Sequence, residues 1–433
     1  MNSDNAAKVR PATVEGPPRA ADSDVSTDGR DCSRPRRVLI VVENLPSPFD
    51  RRVWQEATTL AGAGYEVTII CPTGKGYQRT REVIDGIHIF RHGLPVEASG
   101  PVGYAVEYTA ALFWEFVLAI RVAVTRGFDV LHACNPPDTI FLLGIFFKLF
   151  GKKFLFDHHD INPELYEAKF GRRNFLYRLM LALERWTFRA ADVSIATNES
   201  YRRIAIERGG MRPERVFVVR SGPDLRRLKR LPPVERLKKG RRYLVGYVGV
   251  MGRQEGIDLL LDAVYHIVHV LHRVDIHFGL VGGGTELDRL RGYADRLGVA
   301  DYVTFTGRVP DREMLEMLNT ADVCVNPDVA NPMNDKSTMN KIMEYMALGK
   351  SIVQFDLTEG RVSAGRASLY ALPNDAVDLA RKLVDLLEDA PLRAEMGRIG
   401  RRRIEEELEW RYEVPRLLAA YDMLFQPSPA RRP

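Results

Sequence analysis

Arg37-Val-Leu-Ile-Val-Val42, a loop with two prolines (Asn44-Leu-Pro-Ser-Pro-Phe49), a helical pattern from Arg51 to Ala61 and Glu66-Val-Thr-Ile-Ile-Cys71 together read as one β-α-β unit. The two continuous apolar runs suit strands buried on both faces. Between them Val53, Ala57 and Leu60 fall on one helical face. The short loops are those of a parallel sheet. Further strand patterns at 128–132, 153–157, 193–197 and 216–220, separated by helical ones, extend the unit to a doubly wound α/β domain.

A basic, proline-containing stretch from Pro223 to Arg242 has no apolar period and reads as a linker. The pattern then restarts. Strands are expected at 243–248, 276–281, 303–307, 323–326 and 351–355, and helices at 257–270, 286–297 and 340–348. The chain of 433 residues, 45% of them apolar, suits two such domains. The expected division is a disordered leader at 1–36, a first Rossmann-like domain at 37–222 and a linker at 223–242. A second Rossmann-like domain at 243–408, a helix at 409–425 and a tail at 426–433 complete it. Ligands of such sheets bind beyond the carboxyl ends of the strands, which points to the cleft between the two domains.

Composition excludes several classes. A net charge of +5, from 62 basic and 57 acidic residues, is too mild to argue for nucleic acid. Cys32, Cys71, Cys134 and Cys324 are far apart, which fits a reducing cytoplasm rather than a disulfide framework or a zinc site. The leader lacks the apolar run of a secretory signal. No segment reaches the roughly 18–20 apolar residues that span a bilayer. Outside the leader there is no Asp-x-Asp pair, so a divalent ion clamping a diphosphate is not expected, and no cofactor is.

The richest segment is Asn334-Asp-Lys-Ser-Thr-Met-Asn-Lys-Ile-Met-Glu-Tyr-Met-Ala-Leu-Gly349, a polar loop opening a helix. Ser337 or Thr338 is placed to cap its start and Gly349 to end it. Lys336 and Lys341 bracket that start against Asp335 alone, which makes an anion seat beside free backbone N–H groups. Glu344, one turn on, is placed to hold the paired hydroxyls of a ribose. The plain alternative is a surface pair of Lys341 with Glu344. In Gly246-Tyr-Val-Gly-Val-Met-Gly-Arg-Gln-Glu-Gly256, Gly249 allows a compact loop and Arg253 is within reach of a phosphate, or is an ordinary loop charge. Gly282-Gly-Gly284 lets a ligand approach the backbone, or is a tight turn. Phe156-Asp-His-His-Asp-Ile-Asn-Pro-Glu164 follows a strand. It suits a general acid/base or hydrogen-bonding role for one histidine better than a metal, with a loop-capping histidine as the alternative. Asp50 and Arg51 open the first helix, where Asp50 reads most simply as the N-cap.

Three stretches suggest a membrane surface. Residues 172–189 form a basic amphipathic helix, with Arg172, Arg173, Arg178, Arg185 and Arg189 between Phe175, Leu179, Leu183 and Trp186. Residues 108–124 and 139–150 add aromatic, apolar surface. The competing reading is that all three pack on the core and expose a basic side.

These residues resemble the retaining glycosyltransferases of family 4, whose GT-B fold sets two Rossmann-like domains face to face. The resemblance covers roughly Arg37 to Phe425. It rests on Asn340-Lys-Ile-Met-Glu-Tyr-Met-Ala-Leu-Gly349, Phe156-Asp-His-His-Asp160, Gly282-Gly-Gly284, Phe305-Thr-Gly-Arg-Val-Pro310 and Trp410-Arg-Tyr…Tyr421. It implies metal-independent transfer from a nucleotide-sugar, bound to UDP or GDP, to a glycan or lipid-linked acceptor. Glu344 matches the ribose-binding glutamate and His159 the histidine near the reacting sugar. The Gly249 loop and the helix start at Ser337–Asn340 match the diphosphate cradle. Asp50, Arg51 and Asp160 fall on the acceptor side, and the terminal helix crosses back to the first domain.

Three positions depart from the family's pattern. Lys336 stands where the first glutamate of the Glu-x7-Glu pair is expected, Val250 where an arginine is, and Glu255 where a lysine is. The expectation is that Lys336 and Arg253 replace the missing phosphate-facing cations, with Asp335 a candidate for the sugar hydroxyls. The reading is therefore a cytoplasmic hexosyltransferase of polysaccharide precursors, working at the inner membrane face. A sugar-nucleotide epimerase or a catalytically silent GT-B scaffold are the alternatives.

Overall fold

The computed structural model describes residues 34–93 and 100–426. The leader at 1–33, the tail beyond 426 and the side chains at 100–102 and 104–108 lie outside them. In the first domain the elements run β1 (Arg37–Val41), α1 (Arg51–Gly62), β2 (Glu66–Pro72), β3 (Arg81–Ile84), β4 (Ile87–His92), α2 (Gly100–Thr125) and β5 (Val130–Cys134). They continue with α3 (Phe141–Lys148), β6 (Lys153–His158), α4 (Asn162–Phe170), α5 (Phe175–Ala190), β7 (Val193–Ala196), α6 (Glu199–Arg203) and β8 (Val216–Val218). The second domain holds β9 (Tyr243–Val248), α7 (Ile257–Tyr265), β10 (Ile276–Val281), α8 (Leu287–Arg296), β11 (Val303–Gly307), α9 (Asp311–Thr320) and β12 (Val323–Asn326). After these come α10 (Pro332–Lys336), α11 (Asn340–Ala347), β13 (Ile352–Phe355), α12 (Thr358–Ala364), β14 (Ser368–Ala371), α13 (Ala376–Glu388), α14 (Ala390–Arg403) and α15 (Val414–Phe425).

The first sheet has the order β3-β4-β2-β1-β5-β6-β7-β8, parallel except for the edge pair β3–β4. The second has the order β11-β10-β9-β12-β13-β14, parallel throughout. The fold class is therefore α/β with two parallel-sheet domains, as expected. The order reverses between β1 and β5 in one sheet and between β9 and β12 in the other. The loops after those four strands thus sit at switch points, where such sheets bind ligands. The hairpin β3–β4 was not legible in advance. Its edge strand β3 alternates exposed and half-buried residues, so it lacks the continuous apolar run of the central strands.

The chain returns to the first domain at its end. Leu417, Ala420, Tyr421 and Leu424 of α15 are buried with Val38, Ile40, Ile69 and Ile195 in one apolar cluster. Trp410 Nε1 donates to Thr59 Oγ1 of α1 at 2.9 Å.

Helices α2, α3 and α5 do not bury their apolar residues fully. Phe113, Val117, Ile120 and Val124 line one exposed face of α2. Leu142 and Ile145 do so on α3, with Leu149 just past its end, and Phe175, Leu179 and Trp186 on α5. Phe116 meets Phe146 and Phe141 meets Trp186 edge-on, so the three helices are neighbours. Among the described residues no helix is long and apolar enough to cross a membrane.

Glu115 on α2 is fully buried and its carboxyl oxygens have no hydrogen-bond partner among the described residues. Burial pushes this carboxyl up to about 8. The folded state then holds a proton that the unfolded chain releases above its ordinary range, so stability falls as pH rises from about 4.5 to 8. Glu115→Leu is expected to raise the melting temperature, with a gain on the order of 3 kcal/mol at pH 7 that shrinks toward zero near pH 4.5. Thermal melts from pH 4.5 to 8 check this; a gain that does not grow with pH would contradict it.

Candidate active site

The site is built where loops at the carboxyl ends of both sheets meet. Asp50 caps α1, accepting from Val53 N at 3.1 Å, so its carboxylate does local work. The next two residues point in opposite directions. Arg51 is half exposed and reaches the second domain, 3.0 Å from Asp311 and 3.2 Å from Glu344. Arg52 turns inward. Its guanidinium lies 2.8 Å from Asp157 Oδ1 and 3.2 Å from Glu56 Oε1, and donates to Val219 O at 2.8 Å. Burial alone would raise the Asp157 carboxyl, but Arg52 and His159 hold it well below its usual range. Burial pushes Glu56 well above its range against the pull of Arg52. Arg52 therefore favours the charge on Asp157, while burial disfavours a second one on Glu56.

His159 completes this layer. Its Nε2 touches Asp157 Oδ2 and lies 3.0 Å from Arg52 Nε. One ring nitrogen cannot donate and accept at once. We assign a proton to Nε2, donated to the closer carboxylate. The backbone here is fixed by Asn135, whose Oδ1 accepts from His159 N at 2.8 Å and Asp160 N at 3.2 Å. Asn135 Nδ2 donates to Asp138 Oδ1 at 2.9 Å and Asp160 O at 2.7 Å. Burial raises the Asp160 carboxyl, with His159, His158 and Lys169 pulling against it. His158 faces the other way, fully buried against Phe188 and Tyr201. Behind the layer His132 Nδ1 meets the Tyr421 hydroxyl at 2.8 Å. His132, Cys134 and Asp157, or Glu56, Asp157 and His159, are close enough to share an ion. The Arg52 guanidinium already stands there, and a second positive charge would face it.

In the second domain the glycine loops pack on each other. Gly282 has φ +134°, and a Cβ on it would overlap Gly249 O; one on Gly284 would overlap Met251 O. At Gly283 a Cβ would have only Arg308 N nearby, at 3.8 Å. Gly249 N donates to Val281 O at 3.0 Å. Arg253 is 79% exposed, with Glu286 at 3.4 Å.

The segment 334–349 is divided between two helices. Asn331, not a residue of the segment, caps α10, accepting from Met333 N and Asn334 N at 2.9 Å. Helix α11 begins at Asn340 after Met339, with no side-chain cap. Ser337 and Thr338, expected as caps, are turned elsewhere: Ser337 Oγ to Met333 O at 2.8 Å and Tyr201 at 3.0 Å, and Thr338 Oγ1 to Asn198 at 2.9 Å. Gly349 does end the helix, at φ +72°. Lys336 reaches Glu164 of the first domain at 3.0 Å. Burial works against the Glu164 charge, but Arg208 and Lys336 hold its carboxyl below the usual range. Asp335 accepts from Thr358 N at 2.8 Å and Thr358 Oγ1 at 3.1 Å. Lys341 turns into its own domain, 2.5 Å from Glu255 and 2.6 Å from Asp328. Glu344 Oε1 is held by Arg51 at 3.2 Å and Arg227 at 2.5 Å, so it pairs with neither Lys341 nor solvent alone.

Sequence reasoning missed Arg52, Glu56, Asn135 and Arg227, and gave Glu164 no role of its own within its segment. Arg52 and Glu56 sit four apart beside the apolar stripe of Val53, Ala57 and Leu60, which marks a helix buried more widely than its apolar residues alone.

Residues 50–222 match the family model for the glycosyl transferase 4-like domain, and residues 242–389 that for glycosyl transferases group 1. The chain is 28% identical over 261 residues to 2-deoxystreptamine glucosyltransferase of Streptomyces kanamyceticus, covering 56% of this chain and 64% of that one. Its fold is similar to sucrose-phosphate synthase of Thermosynechococcus elongatus, at TM-score 0.72 and 20% identity, covering 91% of this chain and all of the other. It is also similar to HepE of Anabaena, solved with UDP-glucose, at TM-score 0.67 and 16% identity over 89% of this chain and 99% of that one.

Removing Arg52 strands Asp157 in the core. Arg52→Met is expected to cost about 3–5 kcal/mol in urea denaturation, while Arg51→Ala, at the open end of the same helix, costs at most about 1 kcal/mol. Equal losses would contradict the division of roles.

Proposed function

The chain belongs to the group 1 glycosyltransferases of family 4, and from that premise we propose that it moves a sugar from a nucleotide-diphosphate sugar to a glycan or lipid-linked acceptor, with retention and without a metal ion. The observation that carries this reading is the start of α11: a helix terminus without a side-chain cap, with Glu344 one turn in, opposite the first domain's Arg51. Such a terminus favours an anion, and a carboxylate at that distance suits a ribose diol. HepE, similar in fold, is solved with UDP-glucose, which supports a donor of this class.

Asn340 and the Gly249 and Gly283 backbones then cradle the diphosphate, with Arg253 swinging in from solvent. Lys341 supports the cradle indirectly, by neutralising Glu255 beneath it. Lys336 exchanges Glu164 for the diphosphate when the donor enters. The acceptor hydroxyl attacks the anomeric carbon from the leaving-group face. The bond to the diphosphate oxygen breaks, and that oxygen takes the acceptor's proton. The protein contributes positioning and stabilisation of the developing charge. His159 hydrogen-bonds the donor sugar, and Asp50, Arg51 and Asp160 line the acceptor side. The exposed stripes of α2, α3 and α5, with the arginines of α5, meet an anionic membrane surface.

Release of free nucleotide diphosphate from a panel of UDP- and GDP-sugars tests this. One donor is expected to turn over, and its loss of activity in the presence of a chelator is not. No release from any donor would overturn the reading, and isomerised donor without transfer would replace it with an epimerase. Arg253→Ala and Lys336→Ala are each expected to raise the donor KM roughly tenfold. An unchanged KM in both would remove them from the phosphate.

A further inference from the structure

Outside the site, the first domain contains an apolar cavity of about 320 Å³ between α2, α4 and α5. Its walls are mainly aliphatic and aromatic, among them Leu112, Leu165, Tyr166, Phe170, Leu179 and Leu183. Phe170 and Leu179 are themselves partly exposed, so the cavity has a mouth. That mouth lies among the stripes already described, where Phe175 is 75% exposed and Arg172, Arg173 and Arg178 are exposed beside it.

The inner end is polar and belongs to the active-site scaffold. Asp138 and Asn162 line the cavity and bond each other at 2.8 Å. Asp138 also holds Asn135, the residue that fixes the backbone of His159 and Asp160. Lys169, exposed beside Phe170, lines the mouth, and its charge acts on the Asp160 carboxyl. One continuous set of contacts therefore runs from the basic, apolar surface through the cavity to the acceptor side of the site.

We propose that this cavity binds the hydrocarbon chain of a lipid-linked acceptor, with the anionic head of that lipid at Lys169 and its sugar directed to Asp160. The proposal rests on the reading of the chain as a transferase and names the acceptor's class. Three features select this occupant. An apolar interior suits a chain without polar groups. Cations at the mouth complement a phosphate. Asp138 of the cavity wall holds Asn135, which binds the Asp160 backbone, so a sugar linked to a head at Lys169 stands beside the site. A second copy of the chain would cover the outer stripes but has no reason to enter the cavity.

Binding of decyl phosphate, followed by calorimetry on the full chain, tests the proposal without any donor. The wild type is expected to bind decyl phosphate at least tenfold more tightly than inorganic phosphate. Leu179→Trp, which narrows the mouth at a partly exposed position, and Leu165→Trp, which fills the interior, are each expected to weaken decyl phosphate at least tenfold. The far-UV circular dichroism and melting temperature of the Leu179→Trp protein match the wild type and show that it is folded. Equal binding of decyl phosphate and inorganic phosphate, or equal binding by wild type and both variants, would overturn the cavity assignment. Loss of donor hydrolysis in the wild type, with chain binding intact, would instead strike the transferase reading. A dimer by light scattering that excludes decyl phosphate would assign the face to a second copy and end the proposal.

Discussion

The buried contact between Arg52 and Asp157 is the constraint on which the first half of the site depends. It joins the start of α1 to the end of β6, and through Val219 to the chain leaving β8. Three elements, at positions 52, 157 and 219, are thereby held in one register. Because Arg52 must face inward, its neighbour Arg51 faces outward, and the two ends of the dipeptide serve different domains. His159 inherits its orientation from the same carboxylate. A charge in a core is expensive unless every partner is present, so this arrangement tolerates little drift in the loops it supports.

The second domain solves a different problem. A lysine near an anion site is useful only if its charge is not needed elsewhere, and Lys341 is needed beneath Tyr247, between Glu255 and Asp328. Burial pushes Asp328 up to about 7, the lysine opposing it. Two residues that looked unusual in isolation, an acid at 255 and a base at 341, are thus partners. Lys336 has likewise found an acid, but in the opposite domain, where Glu164 is shared with Arg208. The difference matters: one pair stays inside a rigid unit, the other spans two.

What the sequence made legible follows from what periodicity records. Central parallel strands are apolar throughout and stood out. The β3–β4 hairpin alternates and did not. The α/β architecture was readable because it has a spacing signature; the return of the terminal helix was expected only from the family resemblance, and the switch points needed the strand order. The helix start near 340 was placed correctly, while its caps were not: Asn331 opens an earlier short helix, and the chain between the two draws Ser337 and Thr338 toward Tyr201 and Asn198. Side-chain direction, unlike helix position, depends on partners far along the chain. That is why Lys341 was read as part of the anion seat and Arg52 was left unread, although both adjoin well-read motifs.

Helix α15 carries a consequence for how the molecule is made. Its Leu417, Ala420, Tyr421 and Leu424 fill a cluster whose other buried members run from Val38 to Val219, all in the first domain. On the ribosome, the first domain therefore emerges with part of its interior facing water and waits while the whole second domain is synthesised. His132 lacks its tyrosine partner for the same interval. Helix α15 acts as a clasp that closes only after the second domain has been made, so a product truncated before it exposes an open core.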